Sequence, residues 1–288
     1  MAKDQRASRR KPGQRAIEHG IVARIAQEDD ARRPQAAGSG DRVALCHARA
    51  IAPGMTPASH TPADQPTGYD DLSPLAAIRA RIDHAAKIAG RKGEDVTLVA
   101  ISKTKPASAI LPLIAEGQRV FGENRVQEAQ DKWPALIEAY PDCKLHLVGQ
   151  LQSNKAEAAV RLFDCIHSLD RPSLLTALAH AMDKVGRRVP LFVQVNIGEE
   201  EQKGGCAIAD LPALLTQARA ADLPVQGLMC VPPAGIEAAP FFALLGKLAA
   251  DHGLSGLSMG MSEDFETAVM LGATHVRVGS ALFGRREG

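Results

Sequence analysis

Thr97-Leu98-Val99-Ala100-Ile101-Ser102-Lys103-Thr104-Lys105-Pro106 is the stretch that decides how the rest of this chain is read. A short run of Leu, Val, Ala and Ile, β-branched at several places and closed by a proline that cannot continue a ladder, predicts a buried strand. Alternation sends Lys103 and Lys105 to one side, with Thr97, Val99 and Ile101 behind them. Burial disfavours an ammonium ion and pulls its pKa down. That is the condition for an amine that forms a Schiff base with an aldehyde. Taken alone, two lysines there equally describe the wet end of a strand, so their meaning depends on their surroundings.

Outward from this strand the chain alternates with little interruption. Ser73-Pro74 is an N-cap and N1 pair that opens a helix to about Gly90, with Leu75, Ile78, Ile82, Ala85 and Ala86 on one face. Eight short apolar runs follow: Thr97–Ser102, Arg119–Phe121, Leu145–Val148, Cys165–Ser168, Leu191–Asn196, Val225–Cys230, Leu257–Met259 and His275–Val278. Between them lie helical patterns at Ala107–Glu116, Arg125–Tyr140, Asn154–Phe163, Pro172–Val185, Ala209–Ala221, Ala238–Asp251 and Ser262–Leu271. This β-α alternation predicts an α/β fold, a single closed (β/α)8 TIM barrel over residues 73–286. The rival, an open doubly wound sheet, usually carries G-x-G-x-x-G after its first strand, and Lys103-Thr104-Lys105-Pro106 is not that motif.

Residues 1–70 read differently. Residues 1–54 hold eleven Lys and Arg against six Asp and Glu, and five prolines fall from Pro53 to Pro74 among Gly, Ser and Thr. Such a composition does not form a packed core. The expectation is a disordered basic, Pro-rich extension, or an over-extended start ahead of Met55, with weak helical patches near 15–28 and 41–51. The whole chain has a net charge of +1, which gives no footprint for nucleic acid or an anionic membrane. Its apolar runs are too short to span a bilayer, and no secretory h-region opens the chain. Five widely spaced cysteines, Cys46, Cys143, Cys165, Cys206 and Cys230, contain no C-x-x-C pair. They predict free thiols in a reducing cytoplasm, with no metal site.

In a barrel, function gathers at the C-terminal ends of the strands. In order those ends offer Lys103, Gly122-Glu123-Asn124, Gly149 to Lys155, His167-Ser168, Asn196, Met229, Gly260-Met261-Ser262 and Arg277 to Ser280. The last two carry the sharpest chemistry. Ser262 reads as a helix N-cap, where free N–H groups suit a phosphate. Gly279-Ser280 offers a second set of N–H groups and a hydroxyl, and barrels commonly bind phosphate after strands seven and eight. An amine on strand one facing such a cup fits pyridoxal 5′-phosphate (PLP), whose aldehyde and phosphate lie on opposite sides of its ring. Arg277, just before the cup, is placed to reach the ring nitrogen. An arginine cannot give up a proton, so the ring remains a weak electron sink. The alternative is a salt bridge from Arg277 to a strand-end carboxylate.

Several motifs in order resemble the pyridoxal phosphate homeostasis proteins. They are Ala100 to Pro106, Phe121-Gly122-Glu123-Asn124-Arg125-Val126-Gln127-Glu128, His146 to Lys155, Val195-Asn196-Ile197, Gly227-Leu228-Met229, Leu257 to Asp264 and Val276 to Gly284. That family is similar in fold to the barrel domain of alanine racemase. The resemblance implies that Lys103 holds PLP as a Schiff base, that Ser262, Gly279 and Ser280 hold its phosphate, and that Arg277 faces the ring nitrogen. It implies too that Asn124, His146, Asn196 and Met229 line the pocket. Gln150 stands where the family often has Pro, Ser280 where it often has Thr, and Lys203-Gly204-Gly205 where it has a glycine-rich loop that reads as a mobile flap.

Two functions from different classes follow. The first is a cytoplasmic carrier that buffers PLP and related B6 vitamers or delivers PLP to apoenzymes. The alternative is a PLP-dependent amino-acid racemase, which needs an acid/base group on each face of the substrate carbon. The racemases of this barrel type use a tyrosine from a second domain, whereas Tyr69 falls in the Pro-rich linker and Tyr140 at a helix end. Cys206, Cys230 and His167 are the remaining stand-ins. A cofactor-free Schiff-base aldolase leaves Arg277 and the paired loops less well explained. The expectation is therefore a carrier without turnover, monomeric, with Lys105 and Lys155 steering the phosphate ester to the mouth.

Overall fold

The computed structural model describes Tyr69 and residues 71–284. The expected extension, its two helical patches and residues 285–286 of the expected barrel lie outside the described residues, Tyr69 apart. Eight parallel strands close into a barrel in sequence order. They are β1 Thr97–Ile101, β2 Val120–Glu123, β3 Lys144–Leu147, β4 Cys165–Leu169, β5 Leu191–Gln194, β6 Val225–Met229, β7 Gly256–Ser258 and β8 His275–Val278. Around them run α1 Pro74–Ile88, α2 Ala107–Ala115, α3 Val126–Ala139, α4 Ala156–Leu162, α5 Pro172–Val185, α6 Leu211–Ala220, α7 Ala239–Asp251, α8 Phe265–Met270 and the short α9 Ser280–Phe283. The (β/α)8 expectation holds.

Local chemistry explains many of the boundaries. Ser73 Oγ accepts from Ala76 N at 3.2 Å, with Pro74 at the first helical position of α1. α5 starts on Pro172 and stops at Gly186, whose φ of 70° is the left-handed turn that ends a helix. α8 is shorter than its apolar pattern predicts. Gly260 turns the chain at φ 90°, and Asp264 Oδ1 accepts from Met261 N at 2.6 Å, so the helix begins only at Phe265. The pattern at 154–163 likewise divides into a 3-10 turn, Ser153–Lys155, and α4.

Two separate cores follow from strand alternation. The larger fills the annulus between sheet and helices and includes Leu145, Leu178, Leu214, Phe242 and Phe265. The smaller lies within the barrel, where Cys165, Phe192 and Met229 pack together. Beside them the interior carries polar groups. His146 approaches His275, His167 bonds Ser258, and Phe192 meets His275. Each pair joins strands that are not neighbours, so these contacts cross the barrel.

Closure depends on β1 pairing with β8, in the register Thr97↔His275, Leu98↔Val276, Val99↔Arg277 and Ala100↔Val278. Close backbone approach has its sharpest demand where Gly227 of β6 faces Gly256 of β7. A Cβ on Gly227 would stand 2.0 Å from the Gly256 carbonyl oxygen, which is backbone and cannot swing aside. Gly227→Ala is expected to destabilise the barrel by about 1–3 kcal/mol through overpacking, measured as a lowered urea midpoint with an unchanged slope.

Candidate functional site

A cavity of about 1270 Å³ opens at the C-terminal ends of the strands. It brings together Lys103, Asn124, Ser262, Arg277, Gly279 and Ser280 of the sequence-predicted set. His146, Asn196 and Met229 are not among the residues that line it. The reason is depth. His146 and Met229 each lie two residues before one that does line it, Val148 and Val231, and so sit one inward layer below. Asn196 is occupied by its own loop: its Nδ2 donates to Glu200 O at 2.9 Å and its Oδ1 accepts from Glu200 N at 3.2 Å.

Lys103 lies on a turn rather than on the strand itself. β1 ends at Ile101, and Thr104 takes a φ of 61°, so the alternation predicted to reach Lys105 breaks. Lys103 is partly exposed and Ser102 fully buried. Lys105 still borders the cavity, with its ammonium donating to Phe283 O at 3.1 Å. Lys155 ends the 3-10 turn after β3 and does not line the cavity, contrary to the pairing expected from sequence. Lys203 does line it, and its ammonium pairs with Glu200 and donates to Pro232 O at 3.1 Å, stitching two loops together.

The lysine turn is clamped from behind by residues the sequence reading passed over. Lys132 on α3 donates to Ser102 O at 2.9 Å and to Lys105 O at 3.0 Å, gripping the backbone on both sides of Lys103. Its ammonium also pairs with Glu123 Oε1 at 2.7 Å and Glu128 Oε1 at 3.2 Å. Glu128 accepts from Thr104 N. Glu123, fully buried, accepts from Ser102 Oγ at 2.7 Å and from Trp133 Nε1 at 3.0 Å. The signal was present in β2, where alternation turns Asn124 toward the cavity and Glu123 toward a helix carrying Glu128 and Lys132 four residues apart.

Beside the lysine turn, at the exits of β7 and β8, the two loops expected to hold an anion meet. Ser262 is not the α8 N-cap; its Oγ accepts from Gly279 N at 3.4 Å and lies 3.1 Å from Ser280 Oγ. Two hydroxyls and a backbone N–H thus converge on one point of the rim. Gly279 is also close to β1, since a Cβ there would meet Ile101 Cβ at 3.3 Å.

Arg277 lies 5% exposed beneath them. Its Nη1 donates to Ser258 Oγ at 2.7 Å and its Nη2 to Cys230 O at 2.8 Å. No ion pair to a carboxylate joins it among the described residues, so the alternative of a strand-end salt bridge is not what the structure adopts. Deeper still, His146 Nδ1 and His167 Nε2 lie 3.1 Å apart, and His167 Nδ1 lies 2.8 Å from Ser258 Oγ. Burial pushes His146 down to about 3, helped by the His275 charge, and His275 down to about 4, helped by Arg277. It takes His167 well below its ordinary value too. Burial moves the thiols the other way, with Cys165, Cys206 and Cys230 each pushed up to about 12. The convergence of His146, Cys165 and His167 was not foreseen from sequence; it follows from the pairing of β3 with β4, where His146 stands opposite Cys165 and His167 is the next inward residue of β4.

An amine at the exit of β1, two hydroxyls and a backbone N–H at the neighbouring exits of β7 and β8, and a buried cation below are the groups that a barrel protein would need to hold a small phosphorylated carbonyl compound. Comparison with known proteins agrees. The alanine racemase N-terminal domain family matches residues 74–287. A pyridoxal phosphate homeostasis protein of Pseudomonas aeruginosa is 41% identical over 219 residues, 74% of this chain and 94% of that one. Its namesake in Escherichia coli K12 is 38% identical over 225 residues, covering 74% and 95%. PipY of Synechococcus elongatus PCC7942, solved with PLP bound, is 42% identical, with a TM-score of 0.63 over 72% of this chain and all of that one. An alanine racemase of Clostridium difficile, 11% identical with a TM-score of 0.55, shares the barrel alone. The chain belongs to the pyridoxal phosphate homeostasis proteins, within the alanine racemase N-terminal domain family.

The clamp generates one prediction. Lys132→Met leaves the buried Glu123 carboxylate without its cation, and a loss of about 3–5 kcal/mol in urea unfolding is expected. Adding Glu123→Gln should recover most of that loss. The histidines generate another. Their folded pKa values lie below the unfolded one, so the unfolded chain binds more protons as pH falls. Their contribution is fully present above about pH 6.5 and lost progressively toward pH 4. The urea midpoint is expected to fall over that window, and less steeply in His275→Phe.

Proposed function

We propose that this chain binds PLP reversibly and serves vitamin B6 homeostasis, buffering the cofactor and related vitamers or delivering PLP to apoenzymes. The observation that carries this reading is the meeting, on one cavity, of Lys103, the Ser262–Gly279–Ser280 rim and a cation that no carboxylate of the described residues contacts. The relatives' shared name and PLP in the related PipY structure support it.

The residues present fit the cofactor. When bound, PLP supplies an aldehyde that condenses reversibly with an amine, on a ring able to draw electrons. Lys103 supplies the amine. Ser262, Ser280 and the Gly279 N–H would hold the phosphate ester, their hydroxyls being free to rotate toward it. Arg277 would face the ring nitrogen as a donor that does not protonate it, since a guanidinium does not release its proton. Asn124 borders the same space. His146 and Met229 act from the layer beneath, and Asn196 acts by shaping the loop after β5.

A carrier without turnover is favoured over a racemase because none of the tyrosine, thiol or imidazole bases considered above lines the cavity, although the carboxylates of Glu237, Glu263 and Asp264 do. Neither Tyr69 nor Tyr140 lines it. Cys206 and Cys230 are buried thiols held protonated by desolvation, and His167 is sealed in the barrel. Lys105 and Lys203 already make contacts with backbone carbonyls. Among the described residues no helix is long and apolar enough to cross a membrane. In this reading the protein works in the cytoplasm, as a monomer.

The test is covalent trapping. Borohydride reduction of the PLP-loaded protein should fix a pyridoxyl label on the Lys103 peptide, located by mass spectrometry. Lys103→Ala should lose it. An undiminished label on the same peptide in that variant removes the assignment, and sustained change of optical rotation with L-amino acids removes the carrier reading.

A further inference from the structure

The barrel interior beneath Arg277 is more polar than a packed core requires, and its hydrogen bonds can be given a direction. Arginine only donates, so Ser258 Oγ is the acceptor of the 2.7 Å bond from Arg277 Nη1. Ser258 is fully buried, and a buried hydroxyl proton needs an acceptor. The acceptor at hand is His167 Nδ1, 2.8 Å away. A neutral imidazole then carries its single proton on Nε2, which donates to His146 Nδ1 at 3.1 Å. His146 in turn keeps its own proton on Nε2. One fixed donor therefore sets the tautomer of two histidines on other strands.

We propose that His167 and His146 are positioning residues which, with Ser258, form a neutral hydrogen-bond chain of fixed direction holding Arg277 beneath the cavity as a cation without a direct ion pair among the described residues. Its consequence for ligand binding rests on the cofactor reading given above; the chain itself does not. The Asp264 carboxylate acts on Arg277 only through space. A carboxylate in place of Ser258 would orient the guanidinium equally well but would cancel its charge. Neutral acceptors orient it and leave that charge for a ligand atom bearing a lone pair. An imidazolium at His167 would break the arrangement, because it cannot accept from Ser258 and would place a second cation near the first. Desolvation disfavours that form at both histidines.

The same side chains invite a different reading, since donor atoms of His146, Cys165 and His167 lie within 4.8 Å of one another. A divalent ion there would take the two nitrogens already bonded to each other. It would also add charge near Arg277 with no carboxylate in contact to offset it. The hydrogen-bond chain accounts for the distances without that cost.

Two-bond 1H–15N spectra of histidine-labelled, cofactor-free protein decide the chain. His167 and His146 are expected as Nε2–H tautomers, unchanged between about pH 8 and pH 5.5, where an ordinary histidine titrates. Ser258→Ala should release the tautomer of His167, and Ser258→Thr, which keeps the hydroxyl, should retain it. In the same variants the PLP dissociation constant is expected to rise about tenfold for Ser258→Ala, as for loss of one hydrogen bond to a charged group. For Ser258→Thr it should stay within about twofold. A proton on His167 Nδ1, an imidazolium at neutral pH, or equal affinity in Ser258→Ala and the native chain overturns the proposal. So does stoichiometric zinc or copper(I) binding that Cys165→Ser abolishes. Should Ser258→Thr not fold, the spectra of the native chain still decide. A native chain that shows the expected tautomers yet does not bind PLP overturns the cofactor reading and leaves the chain standing.

Discussion

Barrel closure is the constraint from which the site follows. The strands that begin and end the barrel pair directly, Val99 beside Arg277 and Ala100 beside Val278. The backbone therefore leaves β1 toward Lys103 and β8 toward Gly279 from adjacent positions. The contact between Gly279 and Ile101 fixes how near the two exits are. An open sheet of the same strands would leave β1 and β8 at opposite edges. Closure thus converts two features about 175 residues apart in sequence into one cavity wall. Parallel strands, buried on both faces, supply the hydrophobic runs that make closure favourable.

Rigidity around the amine comes from a second layer. Lys132, Glu123 and Glu128 hold the turn on which Lys103 rides, and the ion pair at its centre is buried. Such a pair contributes little net stability compared with apolar packing, but each partner is strongly required once the other is present. Its effect here is geometric. The ammonium grips the carbonyls of Ser102 and Lys105, so the backbone on either side of Lys103 is held while the lysine side chain stays free to reach into the cavity. Next to it, Ser262 and Ser280 meet by their hydroxyls, groups that rotate to suit whatever acceptor arrives.

The barrel was legible because its signals are local. Ser73-Pro74 opens α1, Pro172 and Gly186 bound α5, and the apolar run His275–Val278 is β8 in the structure. Period-2 alternation was a weaker guide at the strand ends, since β1 stops at Ile101 before the two lysines and Glu123 turns toward a helix. It could not assign depth. Arg277 reaches the cavity from one layer down because its side chain is long, whereas His146 and Met229 at comparable depth do not. Nor could it assign partners across the barrel: His167 and Ser258 are 91 residues apart and meet only after closure. Ser262 illustrates a third limit. Its sequence context is that of a helix cap, but the Asp264 carboxylate takes the Met261 N–H and delays the helix. Local competition between two good capping residues decided which of the two loops the serine would join.

What separates holding a cofactor from using it is the set of groups free to move protons near it. Arg277 brings a charge that is fixed in place and does not titrate in any ordinary range. The imidazoles below it are kept neutral by desolvation and are bonded end to end. Buried thiols at Cys206 and Cys230 are kept protonated by the same desolvation. In the reading proposed here, each of these groups stabilises one protonation state rather than shuttling between two. Lys103 is then the amine offered to the ligand, since Lys105 and Lys203, which also line the cavity, donate to backbone carbonyls. In that reading, a reversible covalent link beside a fixed cation favours exchange of the ligand over turnover of a substrate.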